Sequence, residues 1–143
     1  MSVALILAAK GRDVTITQPH RTMIEASSLL AEKGIGAVIV TGDDGQVLGI
    51  LSERDIVRAV GRHGASVLQE PVSKYMTSKV VTTGMDEAID HVMEQMTAGR
   101  FRHLPVIENG RLAGVISIGD VVKHRLDGLE TEHRALREYI ASA

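Results

Sequence analysis

The chain contains the stretch Gly49-Ile50-Leu51-Ser52-Glu53-Arg54-Asp55 and repeats its pattern 65 residues later as Gly114-Val115-Ile116-Ser117-Ile118-Gly119-Asp120. Both copies read glycine, two apolar residues, serine, two variable residues and aspartate. Two upstream segments recur as well, since 14–17 matches 80–83 and 37–40 matches 104–107. Self-similarity at a nearly constant period indicates two copies of one structural unit.

Each copy predicts the element order β-α-β-β-α. The first helix of the first copy begins at a capping box, in which Thr22 is followed three residues later by Glu25. A second helix starts after Ser52 or Ser117, and serine is a favourable N-cap residue. The predicted strands are Asp13–Thr17, Ala37–Val40, Val47–Leu51, Lys79–Thr83, Leu104–Ile107 and Leu112–Ile116.

The doubled β-α-β-β-α unit, with Ser-x-x-Asp at the end of each copy, resembles a pair of cystathionine-β-synthase (CBS) domains, also called a Bateman module. The resemblance implies an α/β (α+β) fold of two CBS repeats packed about a pseudo-twofold axis, with a C-terminal helix. The expected boundaries are 1–64 for the first repeat, 65–126 for the second and 127–143 for the helical extension. The chain shows no other domain, so it resembles the stand-alone members.

The resemblance also implies two clefts between the repeats, of which one or both hold an adenosyl ligand. AMP is the expected ligand, and ADP, ATP, NAD or S-adenosylmethionine are the alternatives. The motif serine and aspartate are expected to hold the ribose, apolar strand residues the adenine, and basic residues the phosphate. The residues placed in the clefts are Ser52, Asp55, Ser117, Asp120, Arg54, Arg102, His103, Leu104, Pro105, Val81, Thr82, Thr15, Ile16, Gly36 and Ala37.

The Ser-x-x-Asp motif has a second interpretation. Its two oxygens lie within one turn of a helix N-terminus, so they can address the two adjacent hydroxyls of a ribose. The same residues also suit plain capping, with serine at the N-cap and aspartate against the helix dipole. Two copies in one frame favour the binding role over capping alone.

Basic residues are concentrated in the second repeat, where Arg102 and His103 replace Ile35 and Gly36 of the first. The sequence therefore predicts that the cleft around Asp120 is the tighter nucleotide site, because cations beside the motif serine and aspartate can contact the phosphate of a bound nucleotide. The alternative is a solvated edge of charged side chains.

Two further arginines are candidates for phosphate contacts. Arg100 belongs to the same basic cluster and aligns with Lys33 of the first repeat. Arg54 is expected to reach across the centre of the module toward the other cleft. Its alternative is an ion pair with Glu53 or Asp55.

Composition excludes several function classes. Aromatic residues make up 2% of the 143 residues and the net charge is −2, so neither a stacking platform nor a basic groove for nucleic acid is expected. The absence of cysteine excludes disulfides and thiolate catalysis. No nucleophile–base pair can be named, so we expect no enzyme. The apolar stretch Val3–Ala9 is too short to span a bilayer, and a cytoplasmic protein is expected.

The C-terminal segment from Asp120 to Ala141 predicts one long helix. Its apolar face needs a partner, so we expect a homodimer or larger assembly, while the regulated target stays open. A structural dimerisation module with empty clefts is the alternative function. The residues on this face are Val122, Leu126, Leu129, His133, Leu136 and Ile140.

Overall fold

The predicted order β-α-β-β-α is present twice in the computed structural model, which describes residues 2–142. Two short 3-10 helices, Ala65–Gln69 and Val72–Lys74, connect the repeats. The helices are α1 (Val3–Lys10), α2 (Met23–Lys33), α3 (Glu53–His63), α4 (Ile89–Gly99) and α5 (Ile118–Ser142). The strands are β1 (Ile16–Thr17), β2 (Ala37–Thr41), β3 (Val47–Ser52), β4 (Thr83–Gly84), β5 (His103–Glu108) and β6 (Arg111–Ser117).

Each repeat forms its own three-stranded sheet, in the order β1-β2-β3 or β4-β5-β6. The first strand is parallel to the second, and the second and third form an antiparallel hairpin. Each hairpin has a register shift, between Val40 and Thr41 in one and between Val106 and Ile107 in the other. These positions are 66 residues apart, so the repeats share even this irregularity.

The opening strands are shorter than predicted. The runs 13–17 and 79–83 are rich in β-branched residues, which favour strands, but β1 and β4 each pair through two residues only. Each has one strand neighbour in the sheet order, so extended residues beyond that pairing have no ladder to join. In the second repeat, Lys79, Val80 and Val81 line a cavity instead of extending β4.

Side-chain packing crosses the predicted boundary at 64. Helix α1 is part of the second repeat's core, where Val3, Ile6 and Leu7 are buried. The connector is part of the first repeat's core, through Val67 and Val72. Each hairpin has a face that must be shielded from water. In both repeats, the segment that precedes the other repeat in sequence packs on this face.

The C-terminal segment is one continuous helix, as predicted, from Ile118 to Ser142. Only its beginning packs on the body, where Val121 is buried in the second core. Residues 129–142 are all exposed, so this part of α5 projects beyond the body. Within the described chain, no helix combines the length and the apolarity that crossing a bilayer requires.

Candidate functional site

A cavity of about 470 Å³ lies between the two repeats, within the usual size range of small-ligand sites. One wall is the end of β3 and the start of α3 from the first repeat. The opposite wall is the pair of segments that lead into β4 and β5 of the second. The lining residues are Gly36, Ile50, Ser52, Glu53, Arg54, Asp55, Arg58, Thr77, Lys79, Val80, Val81, Gly99, Arg100, Phe101, Arg102 and His103.

The Ser-x-x-Asp motif of the first repeat forms a reciprocal capping box. The Asp55 amide donates to Oγ of Ser52 at 3.2 Å, and the Ser52 amide donates to Oδ2 of Asp55 at 2.9 Å. Capping is therefore real, but it occupies only one carboxylate oxygen. Oδ1 of Asp55 accepts no hydrogen bond from residues 2–142. Because Asp55 lines the cavity, this oxygen can accept hydrogen bonds from the hydroxyl groups of a ligand there.

The second repeat has the same capping box and one further contact. Ser117 and Asp120 exchange hydrogen bonds of 3.1 and 2.9 Å. In addition, Nζ of Lys10 lies 2.6 Å from Oδ2 of Asp120 and donates to the carbonyl of Val115 at 2.9 Å. Neither Ser117 nor Asp120 lines the cavity.

The Lys10 contact changes the acidity of Asp120. Burial by itself would raise the pKa of this carboxyl, but the Lys10 ammonium and the Ser117 amide outweigh it and hold the pKa below the ordinary value. Asp120 is therefore a charged group that already has a cation as partner.

The structure groups the basic residues differently from the sequence prediction. Arg102 and His103 line the same cavity as Ser52 and Asp55, whereas Ser117 and Asp120 are not part of its lining. The reason is that the start of α3 in one repeat faces the strand entries of the other repeat. A Cβ built on Gly36 would lie 3.7 Å from the His103 ring, so these two positions meet where the repeats meet.

The other predicted site residues divide into three sets. Gly36, Arg54 and Val81 line the cavity. Leu104 and Pro105 are buried in β5, behind its wall. Three first-repeat residues and one second-repeat residue, all predicted as site residues, lie outside the lining; they are Thr15, Ile16, Ala37 and Thr82.

Two cationic lining residues were not predicted, Arg58 and Lys79. Arg58 follows Arg54 by four residues on α3, and this spacing alone places both on one helix face. Arg54 forms no ion pair with Glu53 or Asp55 in the described chain, so its predicted alternative is absent. The cavity thus combines five cations with two carboxylates; the cations are Arg54, Arg58, Lys79, Arg100 and Arg102.

Arg100 has a backbone conformation that side chains rarely adopt. It is the C-cap of α4, with φ 56° and ψ 34° in the left-handed region. Gly34 has the same role and conformation at the end of α2, with φ 64° and ψ 38°. The structural counterpart of Arg100 is therefore Gly34. The comparison of the two repeats by sequence had aligned Arg100 with Lys33. A non-glycine residue held in this region is typical of functional sites.

The surroundings of His103 shift the pKa of its ring. Burial, first, and the nearby charge of Lys10 lower its pKa below the ordinary value, although Glu53 and Asp120 act in the opposite direction. The ring lines the cavity wall beside Arg102. No group of three or more His, Asp and Glu side chains within residues 2–142 could hold a metal ion.

Two copies of one unit around a ligand-sized cavity define a tandem-repeat binding module. The family model for the CBS domain matches residues 11–62 and 72–127. The chain belongs to the CBS-domain family and carries two CBS domains.

Solved structures of CBS-domain proteins share this fold. The CBS-domain containing protein ATU1752 from Agrobacterium tumefaciens is 54% identical, with a TM-score of 0.85 over 87% of this chain and 99% of that one. The CBS domain protein PAE2072 from Pyrobaculum aerophilum, solved in complex with AMP, is 28% identical, with a TM-score of 0.75 over 84% of this chain and 89% of that one.

Among curated proteins, a 17.7 kDa protein from the bps2 3′ region of Acidianus ambivalens is 36% identical over 115 residues. The alignment covers 80% of this chain and 68% of that relative. Some other relatives are much longer: the alignment covers 21% of the CBS domain-containing protein CBSCBSPB5 from Arabidopsis thaliana, which is 32% identical over 117 residues.

Proposed function

We propose that this protein is a regulatory module that binds an adenine nucleotide in the cavity between its two CBS domains and catalyses no reaction. One observation carries the proposal. The capping aspartate of the first repeat, Asp55, lines a cavity whose opposite wall supplies Arg100 and Arg102. Ribose and phosphate thus each have a matching group, on opposite sides of one cavity.

The apolar part of the lining suits the base. Ile50 and Val81 come from different repeats and line the same cavity, so an adenine ring placed between them loses its water on both faces. The ribose hydroxyls would then donate to Asp55, and the phosphate would lie against Arg102. In this arrangement the two repeats hold the ligand jointly.

The charge of the cavity indicates which ligands to test. Five cations against two carboxylates favour an anionic nucleotide over neutral 5′-deoxyadenosyl compounds and over the sulfonium of S-adenosylmethionine. AMP is our first candidate, since the relative from Pyrobaculum aerophilum is complexed with it. ATP and NAD carry more phosphate and remain candidates for the same cavity.

A thermal-shift and calorimetry panel tests the proposal with AMP, ATP, NAD, adenosine and S-adenosylmethionine. A ligand at a hundred times its Kd stabilises the folded protein by about 2.7 kcal/mol, a shift that is easily measured. Arg102→Ala should weaken AMP much more than adenosine, whereas Arg111→Ala, outside this cavity, should affect neither. A protein that no member of the panel stabilises would contradict the proposal.

The alternative, a structural module with empty clefts, has one observation in its favour. Both capping boxes are complete without any ligand, so the motif serines and aspartates have a stabilising role of their own. Unchanged melting with every nucleotide, together with an intact oligomer, would identify this alternative.

The remaining parts of the proposal concern activity and assembly. Prolonged incubation should leave ATP and NAD intact, and protein-dependent turnover beyond one equivalent would overturn the non-enzyme assignment. We further propose a homodimer that does not bind nucleic acid, and a downstream target protein. The cytoplasmic location expected from the sequence stays a prediction.

A further inference from the structure

The exposed part of α5 carries an apolar seam with the spacing of a coiled coil. Seam residues follow one another at alternating intervals of three and four, the repeat that keeps one face of a helix toward a partner helix. Four of the five are apolar and largely exposed, at 49–64% of their surface. The seam consists of Leu126, Leu129, His133, Leu136 and Ile140.

The body of the same chain does not cover the seam. Residues 129–142 are exposed throughout, and a helix of this length projects about 21 Å at 1.5 Å per residue. Isolated helices of about 12–15 residues are marginal in water, and most helical stability in proteins comes from packing of an apolar face. A projecting helix with an apolar seam therefore requires a second surface.

We propose that this surface is α5 of a second copy of the chain, and that the two helices form a parallel, in-register coiled coil. In heptad terms, Leu126, His133 and Ile140 occupy position a. Leu129 and Leu136 occupy position d, together with Val122 one heptad earlier. Each of these residues then packs against its own copy across the dimer axis.

The charges that flank the seam favour this partner and this orientation. In a parallel pair, each g residue faces the e residue five positions later on the other helix. Arg125 then faces Glu130 of the second copy, and Glu132 faces Arg137, so both kinds of pair attract. In an antiparallel pair, Leu126 would instead lie opposite Leu136 of the second copy. That register would place Glu130 against Glu130 and Glu132 against Glu132, so like charges would repel.

Contacts within one chain do not prevent these pairs. Arg125 lies 3.3 Å from Asp90, and Glu130 lies 3.6 Å from Arg134. Both are exposed ion pairs, which contribute little to stability and exchange readily. The flanking charges are therefore available to a partner helix.

His133 is the one polar residue in the seam. A polar side chain at position a specifies register and orientation in coiled coils and lowers stability. In the proposed dimer the two His133 rings meet, so His133→Leu should tighten the dimer, by about tenfold or more. Thr131→Leu, on the outer face of the helix, serves as the control and should leave the dimer unchanged.

Cysteine cross-linking tests the orientation, because the natural chain contains no cysteine. Ile140→Cys places a thiol at the distal end of the seam, and Glu138→Cys places one on the outer face. Under mild oxidation at micromolar concentration, the first variant should become a disulfide-linked dimer almost completely. The second should cross-link only slowly.

Three outcomes would overturn the proposal. The first is Ile140→Cys cross-linking no faster than Glu138→Cys. The second is efficient formation of the mixed disulfide between a Leu126→Cys chain and a Leu136→Cys chain, which identifies the antiparallel pair. The third concerns the Ile140→Cys chain that also carries Leu129→Asp and Leu136→Asp. These substitutions should abolish cross-linking while circular dichroism shows that the body is folded, and cross-linking that persists would contradict the seam.

Discussion

Nζ of Lys10 lies 2.6 Å from Oδ2 of Asp120, and no lysine contacts Asp55, the corresponding aspartate of the first repeat, in the described chain. The difference arises in the segments that cover the two hairpins. Lys10 donates to the carbonyl of Val115, whereas Thr77 reaches the equivalent Ile50 through its backbone, at 2.9 Å. One motif aspartate is thus neutralised internally, and the other faces the cavity.

This asymmetry predicts that Asp55 matters more for nucleotide binding than Asp120, the reverse of the expectation from sequence. Asp55→Asn should weaken AMP binding by about tenfold to a hundredfold, since hydrogen bonds to a charged group contribute about 1.5–3 kcal/mol. Asp120→Asn should change it much less. Calorimetric titration of both variants measures the difference, and equal losses would show that the cavity is not the principal site.

Lys10→Met should make the folded protein less stable at neutral pH, by about 1 kcal/mol or less, because the pair is partly exposed. Asp120 has a lowered pKa in the folded state. Its contribution is therefore present above the unfolded-state value near 3.8 and is lost as pH falls through the folded value.

Urea unfolding of wild type and Lys10→Met at neutral and acid pH provides the measurement. The two stabilities should converge in acid, and Lys33→Met should show no comparable change with pH. A difference that stays constant down to pH about 3 would mean that Lys10 acts through packing alone.

Arg100→Gly should stabilise the fold and lower the affinity for AMP. Its left-handed backbone costs a side-chain residue about 1 kcal/mol relative to glycine, and the exchange removes a cation from the cavity. Gly34→Arg is the matched variant: it should destabilise by a similar amount and leave AMP affinity intact. Melting temperatures and AMP titrations of both proteins check the four expectations, and a destabilised Arg100→Gly would show that the Arg100 side chain makes stabilising contacts.

AMP binding should take up a proton at His103. Burial, then the Lys10 charge, keep the pKa of the free ring below 6.5, and an adjacent phosphate would raise it. Affinity should therefore rise as pH falls from about 8 toward about 6. Calorimetry in buffers of different ionisation enthalpy reports the uptake directly, and His103→Gln should eliminate it. An uptake that survives in His103→Gln would assign the proton to another group.

Much of the fold is local, and the sequence determined it. Capping boxes such as Thr22 with Glu25 act over three residues, and hairpin and helix periodicities act over a few more, so the order β-α-β-β-α could be predicted twice. The repeat itself identified the family. The capping contact between Ser52 and Asp55 was also predictable, because its geometry lies within one helical turn.

The grouping of these parts was decided only by the tertiary structure. Nothing near Asp55 in sequence indicates that Arg102, 47 residues later, lines the same cavity, since that depends on how the two repeats face each other. Likewise, the contact of Lys10 with Asp120 joins residues 110 positions apart. Such contacts are set by which hairpin each covering segment packs on, and two homologous repeats offer the chain two similar surfaces.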